Sequence, residues 1–415
     1  MLGFVGLMIK TYQPLYYKRF QCIGPECEDS CCTTNYEILI SKQDYKFMLY
    51  KSKLKDQAKT VFEKTPNRDT YARIKLDEKG CCPLLTTEGW CSVYIADGED
   101  KLPFVCRTYP RLQEPRGSQI LENRLTLACP EAVRKVCFDE DAMQIEETVM
   151  KTKGALKTEP YQRPKDFQVI RDLTLDILFI PDAKIEETLY TLGVSLSSLA
   201  HFEGKDDLKG LNKAVNEVRN YVASGYPRVM FQQQASSLMH QSVFFSCCFD
   251  RVLCFLNQFP NTNRRLRALT ETIKAKVPLM LQGEEVSKWS SVWLDLLAKP
   301  EAQQRYQDFM QSRPFAWRNY AVWHMHALDF PTGCWQVYTT RVVFLYVYFR
   351  TCMLILADDK PLDDNDFVLV VQSLHTAFHN KQMEILMKQI QYGFDVHFQL
   401  QNESGFSLSP LLLIK

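Results

Sequence analysis

Phe20-Gln21-Cys22-Ile23-Gly24-Pro25-Glu26-Cys27-Glu28-Asp29-Ser30-Cys31-Cys32 places four cysteines within eleven residues. Cys81, Cys82, Cys91, Cys106, Cys129 and Cys137 follow, so ten of the fifteen cysteines precede residue 138. All seven histidines lie beyond residue 200. A site built in the first third must therefore be rich in thiolate, with no imidazole from its own region. Soft thiolates at close spacing favour zinc or iron–sulfur centres over copper or magnesium. In a reducing compartment such clusters read as metal ligands and not as disulfides.

Working outward, Tyr12, Tyr16, Tyr17 and Phe20 precede the cluster as a first strand or extended arm. Residues 41–63 read as an amphipathic helix with Ser41 and Asp44 at its start. Its lysines, Lys42, Lys46, Lys51, Lys53, Lys55 and Lys59, form a solvated basic face. Residues 64–80 suit a short strand or hairpin. The Pro- and Gly-rich run from Cys81 to Arg111 implies irregular backbone wrapped around a site. Cys129-Pro130-Glu131 reads as a helix start.

Beyond residue 138 the acidic stretch Asp139–Asp141 and the Gly154, Pro160 and Pro164 breakers mark a linker. From 166 onward, apolar residues recur at helical spacing in 166–180, 184–200, 207–223, 232–258, 263–282, 335–357 and 380–391. Breakers fall between these segments, among them Gly225-Tyr226-Pro227. The expected fold is mainly α. A small irregular Cys-rich metal-binding domain (1–137) and a linker (138–165) precede an all-α helical domain (166–415) of eight to ten helices.

Composition narrows the function. A net charge of +1 argues against a partner held by bulk electrostatics such as nucleic acid. No run of eighteen apolar residues suggests a membrane span. The apolar opening Met1–Lys10 lacks the basic flank and cleavage site of a signal peptide. A cytoplasmic, monomeric protein is expected. No Gly-x-Gly occurs among the sixteen glycines, so neither a dinucleotide fingerprint nor a phosphate-cradling loop is present.

The candidate ligands are Cys22, Cys27, Cys31, Cys32, Cys82, Cys91, Cys106 and Cys129, with Cys81 and Cys137 as bystanders. Adjacent Cys31 and Cys32 point in different directions, so one of the two would bind a given ion. The later cysteines could complete a four-thiolate site with the first cluster or form a second site. The spacing fits neither a zinc ribbon nor a ferredoxin. It also lacks the third cysteine of the radical S-adenosylmethionine signature.

Taken together, Cys22-Ile-Gly-x-x-Cys27-Glu-Asp-Ser-Cys31-Cys32, Cys82-Pro-Leu-Leu with Cys91, Cys106-Arg-Thr-Tyr-Pro-Arg111 and Cys129-Pro-Glu resemble the flagellin lysine-N-methylases. The N-terminal part is similar to the wider Cys-x-x-Cys-x-x-Cys-Cys iron- or zinc-chelating domains. In the helical remainder, Arg318-Asn319-Tyr320 with Phe330-Pro331 carries the likeness. The resemblance implies methylation of flagellin lysines, S-adenosylmethionine as donor and an iron–sulfur cluster, [4Fe–4S] or with zinc as the alternative. Two other readings are a non-enzymatic binding module stapled by metal and a redox relay.

Beside Cys106, Arg107, Tyr109 and Arg111 are cofactor-binding candidates. A guanidinium there would steady a cluster or clamp a carboxylate, or else hold loop carbonyls. Glu28 and Asp29 read as exposed loop acids and Glu131 as a helix N-terminal charge. His375 and His379 share a helix face without a third ligand, which points to a packing or surface role. Trp323-His324-Met325-His326 reads as core packing with one exposed histidine. Cys247, Cys248 and Cys254 read as buried helix cysteines.

Overall fold

Strand β1 (Leu7–Pro14) is the spine of a four-stranded sheet in the order β5-β6-β1-β7. The computed structural model describes residues 7–33, 37–65, 71–152, 161–233, 264–276 and 295–378, with 385, 388 and 389. β1 pairs in parallel with β6 (Ile120–Leu125), Lys10 opposite Ile120, and antiparallel with β7 (Ile145–Thr152), Ile9 opposite Met150. β5 (Arg111–Pro115) closes the other side against β6. The segment expected as a linker thus supplies a strand. The β-branched Ile145, Thr148, Val149 and Thr152 suit extended backbone, and pairing with β1 outweighs the acidic character of the stretch.

A second, three-stranded sheet holds β2 (Leu39–Ile40), β4 (Ala72–Ile74) and β3 (Phe62–Lys64). It backs a small core of Ile38, Ile40, Met48, Ala58, Ala72, Ile74, Cys82, Leu84 and Val93. The main core is separate and helical, and it absorbs Tyr16, Tyr17, Phe20, Leu125, Leu127 and Cys129 from the N-terminal third. Helix α1 (Leu15–Arg19) delivers those first aromatics. Only residues from about 38 to 106 therefore form a core of their own.

The expected helix over 41–63 is interrupted. It runs as α2 (Lys42–Tyr50) and α3 (Lys55–Val61), then extends into β3. At the break the Ser52 hydroxyl donates to Asp97 and accepts from Leu54 N–H at 2.9 Å. Such a local side-chain turn competes with helix propagation. The start is as read: Ser41 Oγ accepts from Asp44 N–H at 3.0 Å. Asp44 Oδ2 also accepts from Phe104 N–H at 3.1 Å, tying α2 to α5 (Phe104–Thr108), the helix that carries Cys106. Asp44→Ala is expected to cost about 1–2 kcal/mol, measured as a lower urea midpoint at unchanged slope. An unchanged midpoint would mean the tie carries no load.

The fold is mainly α, as expected. After α4 (Ser92–Asp97) and α6 (Pro130–Cys137) come α7 (Phe167–Leu178), α8 (Ile185–Leu199) and α9 (Leu208–Ala223). α10 (Tyr226–Gln233) starts where a break was expected, because Pro227 sits in its first turn, where no backbone N–H is needed. α11 (Arg264–Lys276), α12 (Pro300–Ser312), α13 (Ala316–Ala327), α14 (Trp335–Ala357) and α15 (Asp364–Phe378) complete the described helices. The expected helices at 232–258 and 380–391 lie almost wholly outside the described residues, as do Cys247, Cys248 and Cys254. α14 is long and apolar enough to cross a membrane by length and composition, and 89% of its most apolar window is buried inside the protein. Around it, buried aromatics keep their polar ends bonded: Trp317 Nε1 donates to Tyr306 Oη at 2.9 Å, and Trp323 Nε1 to the Leu125 carbonyl at 2.9 Å.

Candidate metal centre and the adjoining cavity

The small core gathers four thiols. Cys82 N–H donates to the Cys32 carbonyl at 2.8 Å, fixing the first cluster beside the second. A tight loop then returns the chain: Leu85 bridges Cys91, and Ser92 N–H donates to the Leu84 carbonyl at 2.8 Å. Cys91 caps α4 and Cys106 lies within α5. Each of the six pairs among Cys32, Cys82, Cys91 and Cys106 is close enough for one sulfur's charge to raise a neighbour's pKa. Burial is the larger cause; it pushes Cys82 up to about 12 and raises Cys91 and Cys106 as well. Cys32 goes the other way, to about 7, because Cys31 hydrogen-bonds its thiolate, and Cys31 is raised in consequence.

A second group forms at the main core. Cys22, Cys27 and Cys129 each lie within electrostatic reach of the others. Burial pushes Cys27 up to about 11 and Cys129 up to about 12. Cys129 is the N-cap residue of α6, which packs into the helical core. Cys31 stands between the groups, feeling Cys32 and Cys106 on one side and Cys22 on the other. Gly24 lets the two loops meet. Its φ is +58°, and a β-carbon there would lie 2.9 Å from the Trp90 ring. The eight candidate cysteines thus fall into two neighbouring sets. Cys137 lies fully buried in the helical core, and Cys81 borders Cys82.

The donor chemistry of these sets fits a soft metal centre: they contain thiols only, with Cys82 and Cys129 buried, Cys22 and Cys31 exposed and the other four half-buried. Among the described residues, no three His, Cys, Asp or Glu side chains converge on a point that one ion could occupy. A single zinc with bonds of about 2.3 Å would require sulfurs roughly 3.8 Å apart. A [4Fe–4S] cluster takes one thiolate per iron and so tolerates a wider set. Either occupant must displace the thiol protons that burial favours.

Arg107 and Arg111 are engaged by backbone. Arg107 Nη1 donates to the Asp100 carbonyl at 2.8 Å, and Arg111 Nη2 to the Phe20 carbonyl at 2.9 Å. Arg111 also lies over the Phe20 ring, 5.0 Å from its centroid. Tyr109 packs against the main core and precedes a cis proline, Pro110. Arg107 thus ties α5 back to the turn before it and Arg111 ties the stretch after it to Phe20, and none of the three lines either of the two cavities described below.

The acids reverse the expectation of exposure. Asp29 is buried and accepts from Gln372 Nε2, which also donates to the Ala128 carbonyl at 3.1 Å. Glu28 accepts from Arg134 Nη2 at 2.6 Å, and Arg134 reaches Asn365 at 2.8 Å. Glu131, also buried, lies 3.5 Å from both Arg134 and Lys135. A cavity of about 560 Å³ opens here, lined by Ile23, Glu26, Glu28, Glu131, Arg134, Arg265 and Asn365. Burial lowers the Arg265 pKa against the opposing pull of Glu28, Asp29 and Cys27, which places this cavity against the second thiol group. Arg134, Arg265, Asn365 and Gln372 had no motif to mark them; the one available signal was Arg134 standing one helical turn after Glu131.

A larger cavity of about 820 Å³ lies between residues 140–145, α7 and α13, with Phe179, Arg318 and His326 on its wall. Arg318 and Asn319 act there as clamps, donating to the Glu140 and Asp139 carbonyls at 2.8 and 2.7 Å. His324 is buried and His326 partly so, with the latter held neutral to about 3 by burial and Arg171. His375 is buried, 3.3 Å from Thr126 Oγ1 and edge-on to Trp323; His379 lies outside the described residues.

Comparison with known proteins places the chain. Residues 171–395 match the model of the FliB lysine N-methylase C-terminal domain. The flagellar biosynthetic protein FliU of Salmonella muenchen is 26% identical over 167 residues, 39% of this chain and 96% of that protein. Lysine-N-methylases of Salmonella typhimurium and Salmonella choleraesuis are 26% and 27% identical over 190 and 191 residues, 44% of this chain in each case. Those alignments span about half (46%) of the two lysine-N-methylases. No solved structure matches. The family match covers 225 of 415 residues, all in the helical part and not in the Cys-rich part where the motifs stand. The chain belongs to the flagellin lysine N-methylase family.

Proposed function

We propose that the protein is a protein-lysine N-methyltransferase acting on flagellin in the cytoplasm, with S-adenosylmethionine as methyl donor. The two thiol sets hold its metal, an iron–sulfur cluster in preference to zinc. The observation that carries this reading is the grouping of eight cysteines from four separate stretches into two neighbouring sets, within a member of the lysine N-methylase family. Cys32, Cys82, Cys91 and Cys106 would hold one centre. Cys22, Cys27 and Cys129, with Cys31, flank the polar cavity. When bound, the cluster supplies charge delocalisation and an electron-transfer capacity that thiols alone lack.

For polar transfer, the lysine amine must be neutral. Its nitrogen forms the new N–C bond as the donor C–S bond breaks, sulfur keeps the electron pair, and the amine proton leaves to a base. The charged lining of the polar cavity can orient the cationic donor.

Protein purified without oxygen is expected to carry iron and sulfide in equal amounts and to move labelled methyl from S-adenosylmethionine onto lysines of purified flagellin. A colourless protein with stoichiometric zinc and no transfer would overturn this reading. It would favour instead a zinc-stapled binding module, for which the small nine-residue core already argues. Reversible one-electron reduction without methylated product would favour a redox relay.

A further inference from the structure

The larger cavity is a groove with two helical walls. Arg318, Val322 and His326 recur every four residues along α13, so their side chains share one face. Leu175 and Phe179 do the same on α7, and Arg171 stands one turn earlier on that face. The two stripes run in opposite directions. Arg318 lies over the Phe179 ring, 4.6 Å from its centroid, while Arg171 is within electrostatic reach of His326. From Arg318 to His326 the stripe rises about 12 Å, room for a lysine side chain and the backbone that carries it. These five lining residues all fall in the stretch that matches the methylase family model.

The two ends of the groove differ in charge. At the rim, Glu140, Gln144, Ile145 and Phe179 are exposed. Asp141 is held there by both terminal nitrogens of Arg19, at 2.6 and 2.7 Å. Arg318 is engaged by the Glu140 carbonyl at 2.8 Å and packed over Phe179 and Phe315. The Glu140 carboxylate acts on Arg318 only from beyond ion-pair distance and forms no ion pair among the described residues. It is the acid left to meet a cation from outside. Deeper in, Met143 and Val322 are buried and apolar. His326 closes the far end, half-buried and bonded to no other described side chain. Burial and the nearby Arg171 and Arg163, against Glu122, keep its imidazole uncharged. A neutral imidazole presents one ring nitrogen as an acceptor.

We infer that this groove receives the acceptor lysine, its ammonium drawn in past Glu140, its stem along Met143, Leu175 and Val322, and its amine nitrogen against His326. The inference rests on the methylase reading of the proposed function and supplies what that reading requires, a neutral amine. An ammonium moving from the acidic rim to the end beside Arg171 exchanges a carboxylate for a guanidinium across an apolar passage, and both changes disfavour its charge. Its proton goes to solvent at the rim. One remaining N–H donates to the imidazole and fixes the direction of the lone pair that forms the new N–C bond. The groove and the polar cavity border one helix: Glu131 in the first turn of α6 lines the polar cavity, and Glu140 lies three residues past its end.

The test is calorimetric titration of the full-length, metal-loaded protein, without donor, with purified flagellin and with the same flagellin acetylated on its lysines. Wild type is expected to bind the unmodified form at least about tenfold more tightly. His326→Phe keeps a ring but no acceptor and should bring the two forms to within about twofold, while His326→Gln, which keeps an acceptor, should restore most of the preference. Glu140→Gln, at an exposed position, should lose a fewfold of the preference with an unaltered melting curve. It keeps the test decisive should the His326 variants fail to fold. Full preference in a folded His326→Phe or in Glu140→Gln overturns the assignment, as does a wild type that binds both forms alike. Loss of S-adenosylmethionine binding in His326→Phe with the lysine preference intact gives the groove to the donor and overturns it too. Labelled methyl transfer by wild type, measured separately, keeps the two readings apart. Transfer without lysine preference removes the groove and leaves the methylase; preference without transfer removes the methylase and leaves a lysine-binding groove.

Discussion

Cys106→Ser is expected to remove most of the bound metal, about tenfold or more, and with it the order of residues 38–106. The reasons are additive. Cys106 interacts with Cys32, Cys82 and Cys91 at once, so its loss takes a donor from the most completely associated set of thiols among the described residues. A hydroxyl does not replace a thiolate for zinc or iron. Structural metal binding is also folding free energy, on the order of 10 kcal/mol in small zinc domains. The local core offers nine buried residues to offset its loss, three of them no larger than alanine or cysteine. Iron, zinc and sulfide per chain, with proteolysis of 38–106, would read both effects. Cys81→Ser should keep its metal, and Cys137→Ser should keep its metal while losing stability, because that thiol is fully buried among apolar groups. Full metal content in Cys106→Ser would remove Cys106 from the ligand set.

What the sequence could and could not disclose follows from the range of the interactions involved. The Ser41–Asp44 cap and helix Trp335–Ala357 rest on neighbours within one or two turns, and both were legible. β1 pairs with β6 across about 110 residues and with β7 across about 140, in registers that no local pattern encodes. α13 shows no amphipathic period because nine of its twelve residues are buried, the polar Asn319 and His324 among them, so polar and apolar positions do not separate into faces. Glu28 and Asp29 looked exposed because their partners, Arg134, Arg265 and Gln372, lie 106, 237 and 343 residues away. The cysteines were legible as ligands by type and density, yet their division into two sets depends on how loops 22–32 and 81–91 pack. Gly24, whose β-carbon would meet the Trp90 ring, and Gly89, whose β-carbon would meet Pro25, are the local traces of that packing among the described residues.

Glu122→Ala is expected to destabilise the protein by about 3–5 kcal/mol, the range for breaking a buried ion pair from one side. Glu122 lies on β6, where the sheet meets the helical layer. Arg163 bonds it, Arg116 Nε donates to it at 3.2 Å, and Arg163 also reaches Asp329 at 2.7 Å. Arg171 of α7 lies 3.7 Å from Asp329, and Arg124 bonds Glu114. Three carboxylates thus serve four guanidiniums at side-chain exposures between 5% and 26%. Removing Glu122 leaves Arg163 with Asp329 alone and Arg116 with Glu114 and the more distant Asp329, so four guanidiniums are left to two carboxylates. By contrast, Glu146→Ala, whose partner Lys18 is 57% exposed, should cost under about 1 kcal/mol. The pH dependence separates the two acids of the knot. Burial alone would raise Glu122, but the Arg163 hydrogen bond and the nearby Arg171 and Arg116 hold it below its ordinary 4.5. Its contribution is therefore complete above pH 4.5 and lost as pH falls through the lower folded value. Asp329 is pushed up to about 7 by burial, with Glu122 and Glu114 adding to the rise against Arg116. Stability from that group is full below its unfolded value of 3.8 and is lost as pH rises toward 7. Urea midpoints from pH 3 to 8 should then show the Glu122→Ala deficit closing at the acid end, while Asp329→Asn flattens the decline between pH 4 and 7. A Glu122→Ala deficit that stays constant down to pH 3 would show that the carboxylate's charge is not what joins the sheet to the helices.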